Sequence, residues 1–155
     1  MLYFSYPKKA ERKIGIFKEV ICIDNLAIHF LNDDEQPVTQ EAVEELVSRI
    51  RSNQLIDAWL ALDEYGEEDF LSVDMANGWA ALAFNTWDET GEAHLYLPIN
   101  SQYEKSQESA PVEIGGQTPV LKRNALDNLE LAAECVLYFA KNGELYPNLR
   151  WEKII

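Results

Sequence analysis

Asp63 and Asp74 offer a candidate catalytic pair, since two carboxylates held about 5–10 Å apart can divide general acid and general base work between them. The chain holds 27 Asp and Glu, however, so chance pairs are inevitable and nothing else marks this one as catalytic. His29 lies within NLAIHFL and His94 within AHLYLPI. Neither has a second His or Cys nearby to complete a metal set, and both read as strand residues. Cys22 and Cys135 belong to no CxxC or zinc spacing and read as buried free thiols. The glycine loops that cradle phosphate, GxGxxG and GxxxxGK[ST], do not occur in the sequence. Nor does a GxSxG elbow that would activate Ser5 or Ser72, or the HxE…PCxxC pattern of zinc deaminases. Gly115-Gly116 reads as a hairpin turn. The expectation is a protein that is not an enzyme, with no catalytic residue, cofactor or metal.

The chemistry that stands out is electrostatic. The chain has 155 residues, 47% of them apolar, and a formal net charge of −14. Direct nucleic-acid binding rests on Lys and Arg neutralising phosphates, so it is not expected here. An acidic surface attracts basic partners instead. Between Arg51 and Lys105 there is no Lys or Arg, while eleven Asp and Glu occur. Among these, Asp63, Glu64, Glu67, Glu68, Asp69, Asp88 and Glu89 fall at expected turns. Trp59, Tyr65, Trp87, Tyr96 and Tyr103 are interleaved with them. Aromatic anchors ringed by charge resemble the core and rim of a protein interface. Ordinary solvated surface charge and core packing explain the same residues equally well. The candidate partner-binding set is Asp63, Glu64, Glu67, Glu68, Asp69, Trp87, Asp88 and Glu89. A sheet face carrying Phe70, Asp74 and Tyr96 is the second choice.

Positioning these residues falls to short alternating strands. Ala58–Asp63, Phe70–Met75, Trp79–Thr86 and Ala93–Ile99 read as a meander, with Asn77-Gly78 its tightest turn. Successive hairpins reverse ends, which brings the 64–68 and 88–91 turns to the same end of the sheet. Alternation puts Leu71, Val73 and Met75 on one face and Phe70, Ser72 and Asp74 on the other. Leu82 and Phe84 likewise oppose Trp79, Ala81, Ala83 and Asn85. The small Ala81 and Ala83 imply a closely packed helix or a flat surface.

Lys13–Ile23 and Asn25–Leu31 read as strands joined at Asp24-Asn25. A helix over about residues 39–52 follows, capped by Thr39 and apolar at Val43, Leu46, Val47 and Ile50. Residues 101–109 read as a mobile loop, and Val112–Ile114 and Pro119–Leu121 as a hairpin. A second helix over about residues 124–142 is capped by Asn124 and closed by Gly143, with Leu126, Leu129, Ala133, Val136, Leu137 and Ala140 as its apolar face. A closing strand is expected around a buried Trp151. Blocks of strands and helices without strict alternation indicate one α+β domain over residues 1–155, with a mainly antiparallel sheet of about six to eight strands and two main helices. The longest apolar runs fall short of the roughly 20 residues a membrane span needs. The leading MLYFSYPKKAERK has the wrong order of apolar and charged residues for a secretory signal. A soluble cytoplasmic protein is expected.

The order of features from Asp69 onward resembles a known family. The segments that carry the resemblance are DFLSVDMANGWAALAF, VEIGGQTPVL and ALDNLELAAECVLYFAKNGELYPNLRWEKI. In the last of these a helix leads to Phe139, then to Asn142-Gly143, Pro147 and Trp151. They resemble the first-numbered immunity-protein family of bacterial polymorphic toxin systems, whose genes neighbour toxins that are often of the deaminase superfamily. Asn142 departs from the small residue or Thr that the family commonly places before this glycine. The resemblance implies a small α+β inhibitor that blocks the active site or substrate groove of a cognate, nucleic-acid-targeting toxin. Its partner would be a toxin domain with a basic groove, not a nucleic acid or a membrane. The alternative is an acidic adaptor or scaffold domain unrelated to toxins.

Overall fold

The computed structural model of the chain describes residues 25–32 and 37–155. The expected strand over residues 13–23, Cys22 and Asp24 lie outside the described residues. Five strands follow one another as β1 (Phe30–Leu31), β2 (Asp57–Ala61), β3 (Phe70–Ala76), β4 (Trp79–Trp87) and β5 (Ala93–Pro98). β6 (Ser109–Ile114) and β7 (Thr118–Leu121) form a separate hairpin, and β8 (Trp151–Lys153) closes the sequence of elements. Helix α1 (Gln40–Arg51) lies between β1 and β2, and α2 (Leu129–Asn142) between β7 and β8. Among the described residues the main sheet has six strands in the order β1-β2-β3-β4-β5-β8, every pair antiparallel. This is an α+β fold.

Asn77 and Gly78 adopt φ of 55° and 78°, the left-handed pair that a two-residue hairpin loop needs. The turn fixes the register from Ala76 opposite Trp79 to Phe70 opposite Asn85. Alternation then buries Leu71, Val73 and Met75 on the helix side and leaves Phe70, Ser72 and Asp74 half-buried on the other. Helix α1 begins where the Thr39 hydroxyl accepts from the Ala42 N–H at 3.1 Å. Its stripe of Val43, Leu46, Val47 and Ile50 is buried. These side chains join Leu60, Leu71, Val73 and Leu82 of the sheet and Ala133, Val136 and Phe139 of α2 in one core. Gly143 ends α2 at φ 69°, its N–H donating to the Phe139 carbonyl.

Several expectations need correction. α2 starts four residues later than expected, capped by Asn128, whose Oδ1 accepts from the Leu131 N–H. Asn124 is instead buried, donating to the Pro98 carbonyl and to Glu152. Leu126 is not helical; it exchanges both backbone hydrogen bonds with Ala80. Ala81 and Ala83 are covered not by a helix but by the β6–β7 hairpin, which packs Ala110, Val112 and Val120 against them and Leu97. Small side chains on β4 are what let a second layer of strands approach. The segment after β5 is not irregular throughout. It contains a 3₁₀ turn at Ser101–Tyr103, and Arg123 donates to the Glu104 carbonyl and to Glu152. In the Asn25–Leu31 segment only Phe30–Leu31 is strand. Trp151 is half-buried, packed against the main core, with Nε1 donating to the Tyr146 carbonyl at 3.1 Å.

Candidate protein-binding site

The loop between β2 and β3 is closed by one carboxylate. Asp63 accepts from the backbone N–H groups of Tyr65, Glu67 and Glu68 at 3.0, 3.1 and 2.9 Å. Burial pushes its acidity toward higher pH, but these donors together outweigh that and hold its pKa below the ordinary value. Gly66 has φ +72°, and a Cβ there would stand 2.8 Å from the Phe30 ring. The loop is therefore seated on an aromatic side chain of β1. The turn between β4 and β5 has the same logic. Asp88 accepts from the Thr90 hydroxyl at 2.6 Å, the Thr90 N–H at 2.9 Å and the Glu92 N–H at 3.0 Å. Its second oxygen lies 2.9 Å from His94 Nε2. The Thr90 hydroxyl first, then His94 and the backbone donors, keep Asp88 ionised well below the usual carboxylate range.

Asp69 joins the two loops, accepting from the Thr86 hydroxyl at 2.7 Å and the Trp87 N–H at 3.4 Å. The eight residues singled out from the sequence thus share one end of the sheet, opposite the Asn77-Gly78 turn. Their roles within it differ. Asp63, Asp69 and Asp88 hold the loops together, whereas Glu64, Glu67, Glu68 and Glu89 stand exposed. Trp87 is 41% exposed and the neighbouring Tyr65 76%.

An aromatic row runs from this end across four strands. Ring centroids lie 6.2 Å apart for Phe30–Trp59, 4.7 Å for Trp59–Phe70 and 6.1 Å for Phe70–Trp87. It occupies the half of the sheet face that the β6–β7 hairpin leaves open. Between the row and the hairpin tip is a cleft of about 600 Å³, bordered by Asp57, Trp59, Phe70, Ser72, Asp74 and Gly115. Phe30 and Asp57 lie outside the candidate set drawn from the sequence, where Asp57 is only one of the eleven acids between Arg51 and Lys105. The period-two pattern of β2 would have placed Asp57 beside Trp59, but a two-residue strand offers no pattern that reveals Phe30. The face proposed as second choice is divided: Phe70 and Asp74 lie on it, but Tyr96 is on the helix side against Phe84, at 6.2 Å.

Asp63 and Asp74 are not a pair. Asp63 closes the loop before β3, while Asp74 lies near the far end of β3, directly opposite Asp57. Cys135 is buried in α2, and desolvation pushes its thiol up to about 12, which makes it a poor nucleophile. His29 is exposed and precedes β1. Asp88, Glu92 and His94 bring ligand atoms within 4.8 Å of one another. Both Asp88 oxygens are already engaged in the turn and with His94, so the grouping reads as a turn cap. Among the described residues no helix is long and apolar enough to cross a membrane. What this arrangement offers is recognition: fixed acidic loops, exposed aromatics and an anionic cleft on one open face. Comparison with family models, with curated proteins and with solved structures finds no match to this chain.

Proposed function

We propose that the chain is a non-enzymatic immunity protein acting in the cytoplasm. It binds a cognate polymorphic toxin, a deaminase acting on nucleic acid, and blocks its active site or substrate groove. The observation that carries this reading is the Asp69 bridge, which fixes two acidic loops side by side at the end of an exposed aromatic row. A toxin that acts on nucleic acid needs a basic groove, and a rigid acidic edge with aromatic anchors is complementary to one. Fixed loops also reduce the ordering cost that binding would otherwise incur. The resemblance of residues 69–154 to the immunity family supplies the toxin class.

Co-expression tests the assignment. The small toxin domain encoded beside this chain's gene should arrest growth alone and be neutralised when the chain is produced with it. The two proteins should co-purify at one-to-one stoichiometry. A metabolic operon at that position, or toxicity unaffected by the chain, would contradict the proposal.

A further inference from the structure

We propose that the cleft beside the β6–β7 hairpin tip is a guanidinium pocket, receiving an arginine side chain from the surface of a protein partner. Asp57 and Asp74 are directly opposite each other on β2 and β3, so their side chains leave the same face. Like charges in that position destabilise a sheet, and a cation between them would remove the cost. Asp74 is half-buried; burial first, and then Asp57, raise its pKa, while the Gly115 N–H opposes them. That N–H donates to Oδ2 at 2.9 Å, which leaves Oδ1 to accept from a ligand. Among the described residues the ion pairs are Arg51–Glu130, Lys122–Glu108, Arg123–Glu152 and Arg150–Glu104, and His94 contacts Asp88. None of them neutralises this pair of acids.

The walls select the kind of cation. Trp59 is 39% exposed and packs against Phe70, presenting an aromatic surface next to the two carboxylates. A planar guanidinium can stack on an indole while its forked donors reach two acceptors, which a compact ammonium does less well. A second cleft of about 540 Å³ adjoins the first and shares Asp57, Asp74 and Gly115 with it. The exposed side chain of Ile56 borders that second cleft. The space therefore accommodates the chain that carries the arginine as well as the arginine itself. Assigning the arginine to a protein surface rather than to a free small cation rests on the immunity reading; the cation chemistry of the pocket does not.

The test needs no toxin. The full chain, labelled with ¹⁵N, is titrated with three capped pentaglycine peptides carrying Arg, Lys or Gln at the central position, and with spermidine. The arginine peptide should shift the Trp59 indole N–H and the Gly115 amide saturably, with affinity about tenfold above the lysine peptide. The glutamine peptide should shift neither. Replacing Asp57 and Asp74 together by Asn keeps an acceptor for Gly115 and should weaken the arginine peptide about tenfold or more. If that double variant does not fold, Asp57→Asn alone, at an exposed position, should still weaken binding severalfold. Unmoved Trp59 and Gly115 signals, equal binding by the variants, or tighter binding of spermidine would overturn the proposal. Arginine binding by a chain that neutralises no toxin would leave the pocket standing and sink the immunity reading. Neutralisation by a chain whose pocket ignores arginine would do the reverse.

Discussion

Asp69 ends the loop before β3 and Thr86 lies in β4, and the Asp69 carboxylate accepts from the Thr86 hydroxyl at 2.7 Å. This contact ties the end of the 63–68 loop to the strand that leads into the 88–92 turn. Because it involves a charged acceptor and half-buried partners, Asp69→Ala should cost about 1–3 kcal/mol in urea unfolding. Thr86→Val should cost less, since the Trp87 N–H still reaches Asp69. The double variant should be clearly less destabilised than the sum of the two. Strict additivity would mean that the hydrogen bond does not couple the loops.

Two glycines with positive φ should respond differently to alanine. Gly66 has φ +72° and the Phe30 ring 2.8 Å from an added Cβ, whereas Gly115 has φ +63° with nothing within 4 Å. Gly115→Ala should cost only the left-handed backbone term, roughly 1 kcal/mol. Gly66→Ala should cost about twice that or more, because the aromatic ring must move as well. Equal melting temperatures for the two variants would show that the loop is not seated on Phe30.

Asp74→Asn gives a prediction with a defined sign. Its folded-state pKa is raised above 3.8, so the folded protein binds the proton more tightly than the unfolded chain does. The resulting penalty is absent below the unfolded value and grows as pH rises through the folded one. Asp74→Asn should therefore be more stable than the parent at pH 7, and the gap should close toward pH 3.5. Asp63 and Asp88 titrate in both proteins alike and cancel in the comparison. Thermal melts in which the gap widens on acidification would reverse the assignment.

Trp151 closes the sheet at its β8 edge. Truncation of fully buried Trp or Phe costs about 3–5 kcal/mol; a half-buried ring should cost somewhat less, about 2–3 kcal/mol. Trp151→Phe keeps most of the packing and loses the hydrogen bond to the Tyr146 carbonyl, so about 1 kcal/mol is expected. Chemical denaturation of the two variants measures both. An unchanged midpoint for Trp151→Ala would leave the ring with no structural role.

Local signals were legible where one residue decides the outcome. Asn77-Gly78 could hardly be anything but a tight hairpin, and Thr39 with a buried i, i+3, i+4, i+7 stripe specified α1. The start of α2 was ambiguous because Asn124 and Asn128 both precede apolar residues. What separates them is tertiary: Leu126 pairs with Ala80, and the Asn124 amide is drawn to Pro98 and Glu152. The same holds for the candidate site. Meander geometry brought Asp69 and Asp88 to one end, but alternation within single strands cannot reveal that Tyr96 faces Phe84 across the sheet from Phe70. Nor can it show that Asp57, rather than Asp63, is the carboxylate opposite Asp74. Those relations follow from register, which the strands establish only in pairs.

The most direct measurement of the central claim is the rate at which the cognate toxin domain called for by the proposed function associates with the chain, followed by stopped-flow at low and high salt. The parent is compared with a variant carrying Glu64→Gln, Glu67→Gln, Glu68→Gln and Glu89→Gln, four exposed acids outside the loop-closing hydrogen bonds. If the acidic end meets a basic groove, the parent should associate rapidly and lose speed as salt rises. The variant should be about tenfold slower at low salt and nearly salt-independent, with a dissociation rate changed far less. Identical association rates and salt dependence for the two proteins would contradict the placement of the interface, and no detectable complex for either would contradict the proposed function.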